Sequence, residues 1–401
     1  MKRAHLQSLE EILLPYAVED FLSANWGNTY KHVAGWPSKF SSLLPWERLN
    51  EILQQHRLDF PRLRLTRDGK RLPADAYLRY TTGNRRKILV PRVRYAAITR
   101  ELRLGASLVL DAVDELHQPL TDLAEGLELF FRERIQINAY AGWRTSRGFD
   151  LHWDDHDVFI LQVNGCKRWV VHGPTLRYPL AGFSKDNKPQ GPPLWDQILK
   201  AGDLFYIPRG FWHVAFPLDE PTLHLTIGVH NRSGLDLARW VMERMRVRES
   251  FRKDLPRFAT EEIRSDHLLQ LRNELLEEFD NDLLNRYFDE MDANATPRGR
   301  LSLPWSAAAK ILPESETTQL RLLSPRPLEL RVENDVLEFC SLKKRWRFSS
   351  DAFIILQRLE TNRICSVAEL CEATKNEIPI ETVRTFLQEL VLNGLVAIVS
   401  S

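Results

Sequence analysis

Gly148-Phe149-Asp150-Leu151-His152-Trp153-Asp154-Asp155-His156-Asp157 leads straight into the apolar run Val158-Phe159-Ile160-Leu161-Gln162-Val163. Read as the entry to a strand, residues two apart face the same way, so His152 and Asp154 project together, an imidazole beside a carboxylate. A third ligand must come from elsewhere in the chain. Gly202-Asp203-Leu204-Phe205-Tyr206-Ile207-Pro208-Arg209-Gly210-Phe211-Trp212-His213 supplies one, its histidine 61 residues after His152. The segment reads as a strand, a Pro-Arg-Gly turn and a histidine resuming the sheet. An H-x-D tripeptide alone is also what a loop histidine beside a solvated aspartate looks like. With the second segment, two histidines and one carboxylate on one face make a facial triad suited to non-haem Fe(II). Three protein ligands leave three cis positions on an octahedral iron, two for a bidentate α-keto acid and one for dioxygen.

Outward from this stretch, short strand-like runs dominate: Arg134–Tyr140, Asp157–Val163, Lys167–Val171, Leu204–Ile207 and Leu223–Val229. Turn residues separate them, among them Asn164-Gly165 and a Pro/Gly-rich loop near 179–193. Strands without alternating helices argue for an antiparallel sandwich or barrel, so the expected class is mostly β with α additions. The first ~55 residues read helical, with proline in the first turn of a helix over Pro45–Leu53. The organisation expected is three regions. Residues 1–232 hold the β-rich domain with its helical lead-in. Residues 233–299 are helical, with Ser265 as a cap and an apolar stripe Leu268, Leu271, Leu275, Phe279 and Leu283. Residues 300–401 open with a hairpin, Leu328–Val332 and Val336–Cys340 about Glu333-Asn334-Asp335. There follow a capping box at Ser366–Glu369, an amphipathic helix Ile380–Leu392 stopped by Asn393-Gly394, and a strand Leu395–Val399, the outline of a winged helix.

Composition narrows the function classes. The 401 residues are 43% hydrophobic and 27% charged, ordinary for a globular chain. With 55 Lys and Arg against 54 Asp and Glu, the net charge of +1 gives no global pull toward nucleic acid or membrane. Cys166, Cys340, Cys365 and Cys371 form no C-x-x-C pair and read as free thiols of a reducing compartment. Glu10 and Glu11 interrupt the N-terminus before any long apolar run, against a secretory signal, and no run of about 18 apolar residues predicts a membrane span. A cytoplasmic protein is expected. Residues 351–401 carry four basic and seven acidic side chains, so the winged-helix region repels DNA and no direct DNA binding is expected.

The motifs at His152-Trp153-Asp154-Asp155, at Val158–Gly165 with Lys167-Arg168-Trp169, and around His213 resemble the Jumonji-C branch of the cupin superfamily, and within it the ribosomal oxygenases. The resemblance covers almost the whole chain. It implies a double-stranded β-helix (cupin jelly roll), a helical dimerisation segment forming a homodimer, and a C-terminal winged helix. It implies Fe(II), dioxygen and 2-oxoglutarate, used to hydroxylate a protein side chain, His or Arg of a ribosomal protein. His152, Asp154 and His213 match the iron ligands. Lys167 matches the basic residue on the distal carboxylate of 2-oxoglutarate, a natural partner for that group if it lines the barrel. Asn138 and Tyr140 match an Asn-x-Tyr pair near cofactor and substrate, and Thr226 a hydroxyl residue facing the cofactor. His156 departs from the family, where an aliphatic residue is expected. It reads as a rim histidine, with a spare metal ligand or a substrate contact as the alternatives. Other readings keep the chemistry and change the target, a small ribosomally made peptide or a methylated lysine, or discard turnover for a cupin-like scaffold. Arg144 and Arg147, before the metal segment, and the cluster Lys343-Lys344-Arg345-Trp346-Arg347 read either as solvated surface or as contacts to an acidic or RNA-coated target.

Overall fold

The computed structural model describes residues 3–82, 89–307, 312–375 and 377–400, and the chain divides after Asn231 into two compact units. The first opens with helices α1 (Arg3–Leu13) and α2 (Val18–Ala24), strand β1 (Lys31–Val33) and helix α3 (Trp46–Gln55). Pro45 is the N-cap of α3 rather than a residue of its first turn, and Leu49 and Ile52 are the side chains the helix buries. Next come β2 (Leu63–Arg67), β3 (Lys70–Arg71), β4 (Leu78–Thr82), β5 (Leu89–Val93), α4 (Tyr95–Arg103), β6 (Ser107–Leu110) and α5 (Gln118–Phe131). The remaining strands are β7 (Arg134–Gly142), β8 (Asp157–Asn164), β9 (Lys167–His172), β10 (Trp195–Leu199), β11 (Leu204–Ile207), β12 (Trp212–Pro217) and β13 (Thr222–His230).

Apart from β4 and β5, which pair only with each other, these strands form an antiparallel sandwich. One sheet runs β1-β11-β8-β13-β7-β6-β2-β3 and the other β10-β9-β12. β8 explains the two layers, because its residues Asp157–Val163 are all buried and its two faces meet different partners. Phe159, Leu161 and Val163 pack into the core that includes Leu9, Phe21, Ile52 and Leu127 of the helices. Val158 and Ile160 point the other way, into a smaller core with Trp169, Val171, Trp195 and Phe205. A strand buried on both faces needs the unbroken apolar run that marks it in the sequence. The turn before β11 is fixed by Gly202 and Asp203. Asp203 accepts from the backbone N–H of Gly35 (3.1 Å) and Lys200 (2.9 Å) and pairs with His32 at 3.2 Å.

The second unit contains α6 (Gly234–Met245), α7 (Glu249–Arg252), α8 (Glu261–Glu278) and α9 (Leu283–Ala293). Here two expectations are corrected. The cap of α8 is Thr260, whose side chain accepts from Ile263 N–H, not Ser265, which lies inside the helix. The apolar stripe is also broken: Phe279 leaves the helical conformation, and Leu283 begins the next helix. No residue of α8 is buried, and Leu268, Leu269 and Leu276 are at least half exposed.

Beyond it lie β14 (Gln319–Leu322), β15 (Arg331–Glu333), β16 (Val336–Ser341), β17 (Lys344–Ser349), α10 (Ala352–Asn362), β18 (Ile364–Ser366), α11 (Val367–Ala373), α12 (Ile380–Leu392) and β19 (Val396–Ser400). Asn334 and Asp335 both take positive φ, +48° and +61°, as a two-residue hairpin turn requires. The first hairpin strand starts at Arg331 rather than Leu328, and the basic cluster 343–347 supplies most of a third strand, β17. Within it Trp346 is buried, while Arg345 and Arg347 share Glu338 on the neighbouring strand. Ser366 and Glu369 form the expected capping box, and α12 has the bounds read from the sequence.

Gly202 sits at φ +92°, and a Cβ there would lie 1.9 Å from the Trp36 carbonyl oxygen. Gly202→Ala is expected to lower stability by about 2–4 kcal/mol in urea unfolding. Gly191→Ala, where a Cβ meets open space, is expected to leave the midpoint unchanged.

Candidate metal centre

His152 does not lie in a strand, because β8 begins only at Asp157. A single antiparallel bridge holds it to His213 in β12. His213 N–H donates to the His152 carbonyl at 2.7 Å, and His152 N–H donates back at 3.2 Å. Residues that exchange both bonds stand directly opposite each other with side chains on the same side. The imidazole centroids are consequently 4.4 Å apart. Asp154 is drawn to the same place by its own carbonyl, which accepts Gly210 N–H at 2.9 Å. Gly210 makes this turn at φ +86°, with a Cβ position 2.7 Å from Pro179. Lys185 steadies the intervening residue, with Nζ 2.6 Å from the Trp153 carbonyl and 4.6 Å from the centre of its ring.

The donor set suits a divalent metal. His152 Nδ1 lies 2.7 Å from the Asp150 carbonyl and His213 Nδ1 3.1 Å from the Phe211 carbonyl. Carbonyls accept, so both Nδ1 atoms carry the proton and both Nε2 lone pairs are left for a metal. His152 Nε2 is 3.8 Å from Asp154 Oδ1, and His213 Nε2 is 3.5 Å from Asp154 Oδ2. Cis ligands with bonds of about 2.1 Å stand about 3 Å apart, so a contraction of less than ~1 Å closes the set on an ion. Burial, followed by the neighbouring His152, pushes the His213 imidazole down to about 4, so it is neutral near pH 7, the form a metal takes. Burial disfavours the Asp154 carboxylate, but His213, His152, His156 and Lys185 outweigh it and hold its pKa below the usual range.

The three groups open onto a cavity of about 280 Å³ between the sheets, whose lining includes Tyr140, Lys167, Trp169, His224 and Thr226. Lys167 is 7% exposed and has no ion-pair partner among the described residues. Burial alone draws its ammonium down to about 7. Tyr140 and His224 are cross-strand partners on β7 and β13, and their rings stack at 4.9 Å and 4°. Burial raises the Tyr140 phenol above its ordinary range. Thr226 lies two residues on from His224 and lines the same cavity.

One position expected near the cofactor falls elsewhere. Asn138 is not part of the lining; its Oδ1 accepts from Ala112 N–H (2.9 Å) and Gln136 Nε2 (3.0 Å), securing β7. His156 is also outside it, stacked on His230 at 4.4 Å with Nδ1 3.0 Å from Asp155 Oδ1. Strand alternation does not reach His156 because the strand has not begun. His224 escaped the sequence reading, although alternation from Thr226 marks it. Arg64, another lining residue, carried no local signal; it is clamped by Asp111 through two bonds of 2.7 and 2.6 Å across β2 and the end of β6.

A buried cation without a counter-ion costs stability. Lys167→Met is therefore expected to raise the urea midpoint at pH 7 while removing affinity for dicarboxylates. The folded pKa of Lys167 is about 7 against 10.5 for the free group, so the unfolded chain binds the extra proton between these values. Wild-type stability then rises with pH through that window. The advantage of Lys167→Met is expected to shrink from pH 7 toward pH 10, measured as the difference between the two unfolding curves.

Comparison with known proteins agrees with this geometry. A JmjC-domain family model matches residues 115–237. The bifunctional lysine-specific demethylase and histidyl-hydroxylase NO66 of Drosophila simulans is 31% identical over 213 residues, 49% of this chain and 23% of the relative. NO66 of Drosophila melanogaster is 31% identical over 242 residues, 56% of this chain and 34% of the relative. The chain thus spans about a quarter to a third of the length of these relatives. The ribosomal oxygenase YcfD of Escherichia coli, in complex with cobalt and 2-oxoglutarate, superposes with a TM-score of 0.57 at 19% identity, covering 96% of this chain and 99% of that one. No helix among the described residues is long and apolar enough to cross a membrane. Residues 115–237, which include the His152–Asp154–His213 cluster, thus match the JmjC-domain model, and the chain shares its fold with the ribosomal oxygenase.

Proposed function

We propose that the protein is an Fe(II)- and 2-oxoglutarate-dependent oxygenase that hydroxylates a protein side chain, His or Arg of a ribosomal protein. The observation that carries this reading is a pair of Nε2 lone pairs and a carboxylate converging beside a buried lysine that has no counter-ion among the described residues. His152, Asp154 and His213 are assigned as iron ligands. Lys167 is assigned to the distal carboxylate of 2-oxoglutarate, with Thr226 and Tyr140 on the cavity wall and Asn138 beside Tyr140 on β7. Bound iron, with 2-oxoglutarate and dioxygen, supplies the oxidation of a C–H bond, the cosubstrate leaving as succinate and CO₂.

The chain's own part is positional. The backbone carbonyls of Asp150 and Phe211 keep the protons on the Nδ1 atoms. Lys167 selects a dianionic cosubstrate, because only an anion satisfies it inside the cavity. Trp169 and the Tyr140–His224 stack wall the cavity with rigid rings and limit water. The names of the curated relatives favour lysine demethylation as the second reading, a small ribosomally made peptide being the alternative substrate and a non-catalytic scaffold the alternative to turnover.

The rest of the chain is read in the same way. The proposed division is a catalytic domain 1–232, a helical dimerisation segment 233–299 and a winged-helix domain 300–401. Helices α10, α11 and α12 with the β18-β14-β19 sheet support the winged helix. The exposed leucines of α8 support a homodimer. Cysteines that are all free suit a reducing compartment, and the cytoplasm is the proposed location.

Purified protein with Fe(II), 2-oxoglutarate and ribosomal-protein peptides is expected to form succinate and to add the mass of one oxygen atom. Loss of one methylene from a methyl-lysine peptide would assign demethylation instead. Metal binding without turnover on any of these substrates would leave the scaffold. His213→Ala is expected to lower metal affinity and turnover at least ~100-fold. Leu276→Arg is expected to halve the mass in light scattering; an unchanged mass would remove α8 from the interface.

A further inference from the structure

The balanced net charge conceals a segregation. Fourteen of the 55 basic residues but only four of the 54 acidic ones lie between 57 and 103, and twelve of the fourteen are arginine. Its described residues, 57–82 and 89–103, fold locally as the β2–β3 pair, the β4–β5 pair and α4. Tyr77 ties the pieces together: its hydroxyl donates to the Leu63 carbonyl at 2.9 Å, and its own carbonyl accepts Arg94 N–H at 2.9 Å. Some of the cations have partners, Arg62 with Glu115, Arg64 with Asp111 and Arg67 with Glu101. Lys70, Arg71, Arg79, Arg92, Arg94 and Arg103 are exposed and form no ion pair among the described residues. Arg79 and Arg92 even stand directly opposite each other on β4 and β5. Like charges in that position destabilise a hairpin, and a two-stranded one has little stability to spare.

Aromatic rings interleave with these cations. Tyr80 is 45% exposed, Tyr95 52% and Phe60 40%, with the Arg71 guanidinium 4.6 Å above the Phe60 ring. The module also touches the metal-site loop. Asp68 N–H donates to the Arg147 carbonyl at 2.8 Å, and the Gly69 turn packs on Asp150, whose carbonyl orients His152.

We propose that residues 57–82 and 89–103 form an RNA-binding surface beside the mouth of the JmjC domain, holding the phosphate backbone with arginines such as Arg79 and Arg92 and stacking unpaired bases on Tyr80, Tyr95 and Phe60. Arginine in place of lysine favours this partner, because guanidinium forks match phosphate oxygens and also stack on bases. An anionic membrane would be served equally by lysine and offers nothing for the exposed rings to stack on. The surface is independent of the oxygenase reading: it binds RNA whether or not the centre turns over, and it accounts for a target that is itself coated with RNA.

The test is fluorescence anisotropy of the full chain with a labelled RNA stem-loop, repeated over a salt series. Arg79→Gln/Arg92→Gln is expected to weaken binding at least tenfold and to flatten the slope of log K against log salt by about 1.5, from two lost phosphate contacts. Its melting temperature is expected to stay the same or rise, since the change removes a repulsion, so weaker binding cannot be laid to unfolding. Succinate formation with a short peptide is expected to be unaffected. Arg345→Gln/Arg347→Gln, whose cations are already held by Glu338, is expected to bind RNA as the wild type does. Equal affinity of the Arg79/Arg92 variant and the wild type would overturn the proposal. So would tighter binding to phosphatidylserine vesicles, to a poly-glutamate peptide or to a DNA duplex of the same length.

Discussion

The pair of backbone hydrogen bonds exchanged by His152 and His213 is the constraint on which the site depends. Neither residue's neighbours in sequence bring them together; the bridge is an isolated contact outside the β8 ladder. It is held from three sides. Asp157 accepts Arg209 N–H at 2.8 Å, the Asp154 carbonyl accepts Gly210 N–H, and the Gly202-Asp203 turn places β11 so that the chain arrives at His213 in register. The residues of the second motif that are not ligands are thus the ones that aim the ligand. This is why glycines at 202 and 210 are needed there: both take positive φ against close neighbouring atoms.

What the sequence disclosed and what it withheld follow from the range of the interactions involved. Strands β7, β8, β9, β11 and β13 were legible because burial on one or both faces imposes local patterns. The ends of α12 and the capping box of α11 were legible because caps act within three or four residues. The triad was legible because two of its members share one short motif and the third ends another. The α8 stripe was misread because leucine spacing continues across residues 279–282, where the backbone turns; periodicity records a face only while the helix lasts. Arg64 was invisible because its role comes from Asp111, 47 residues away. Residues 57–103 were overlooked because a whole-chain charge averages away a local excess.

Buried and exposed cations here answer to one physical test, whether the charge finds its counter-ion inside the chain. Arg64 finds two bonds to Asp111 and stands in the cavity wall as structure. Lys167, equally committed to the cavity, finds no counter-ion among the described residues, and folding leaves it with a depressed pKa and an unmet demand for an anion. On the surface the contrast repeats. Arg345 and Arg347 are neutralised by Glu338 on an adjacent strand, whereas Arg79 and Arg92 face each other. A fold that keeps a repulsive arginine pair on a thin hairpin gives up stability there, as it does at Lys167. Stability surrendered at named positions, without a counter-ion among the described residues to recover it, is the common ground of both proposals: a small dianion in the cavity, and a polyanion beside its mouth.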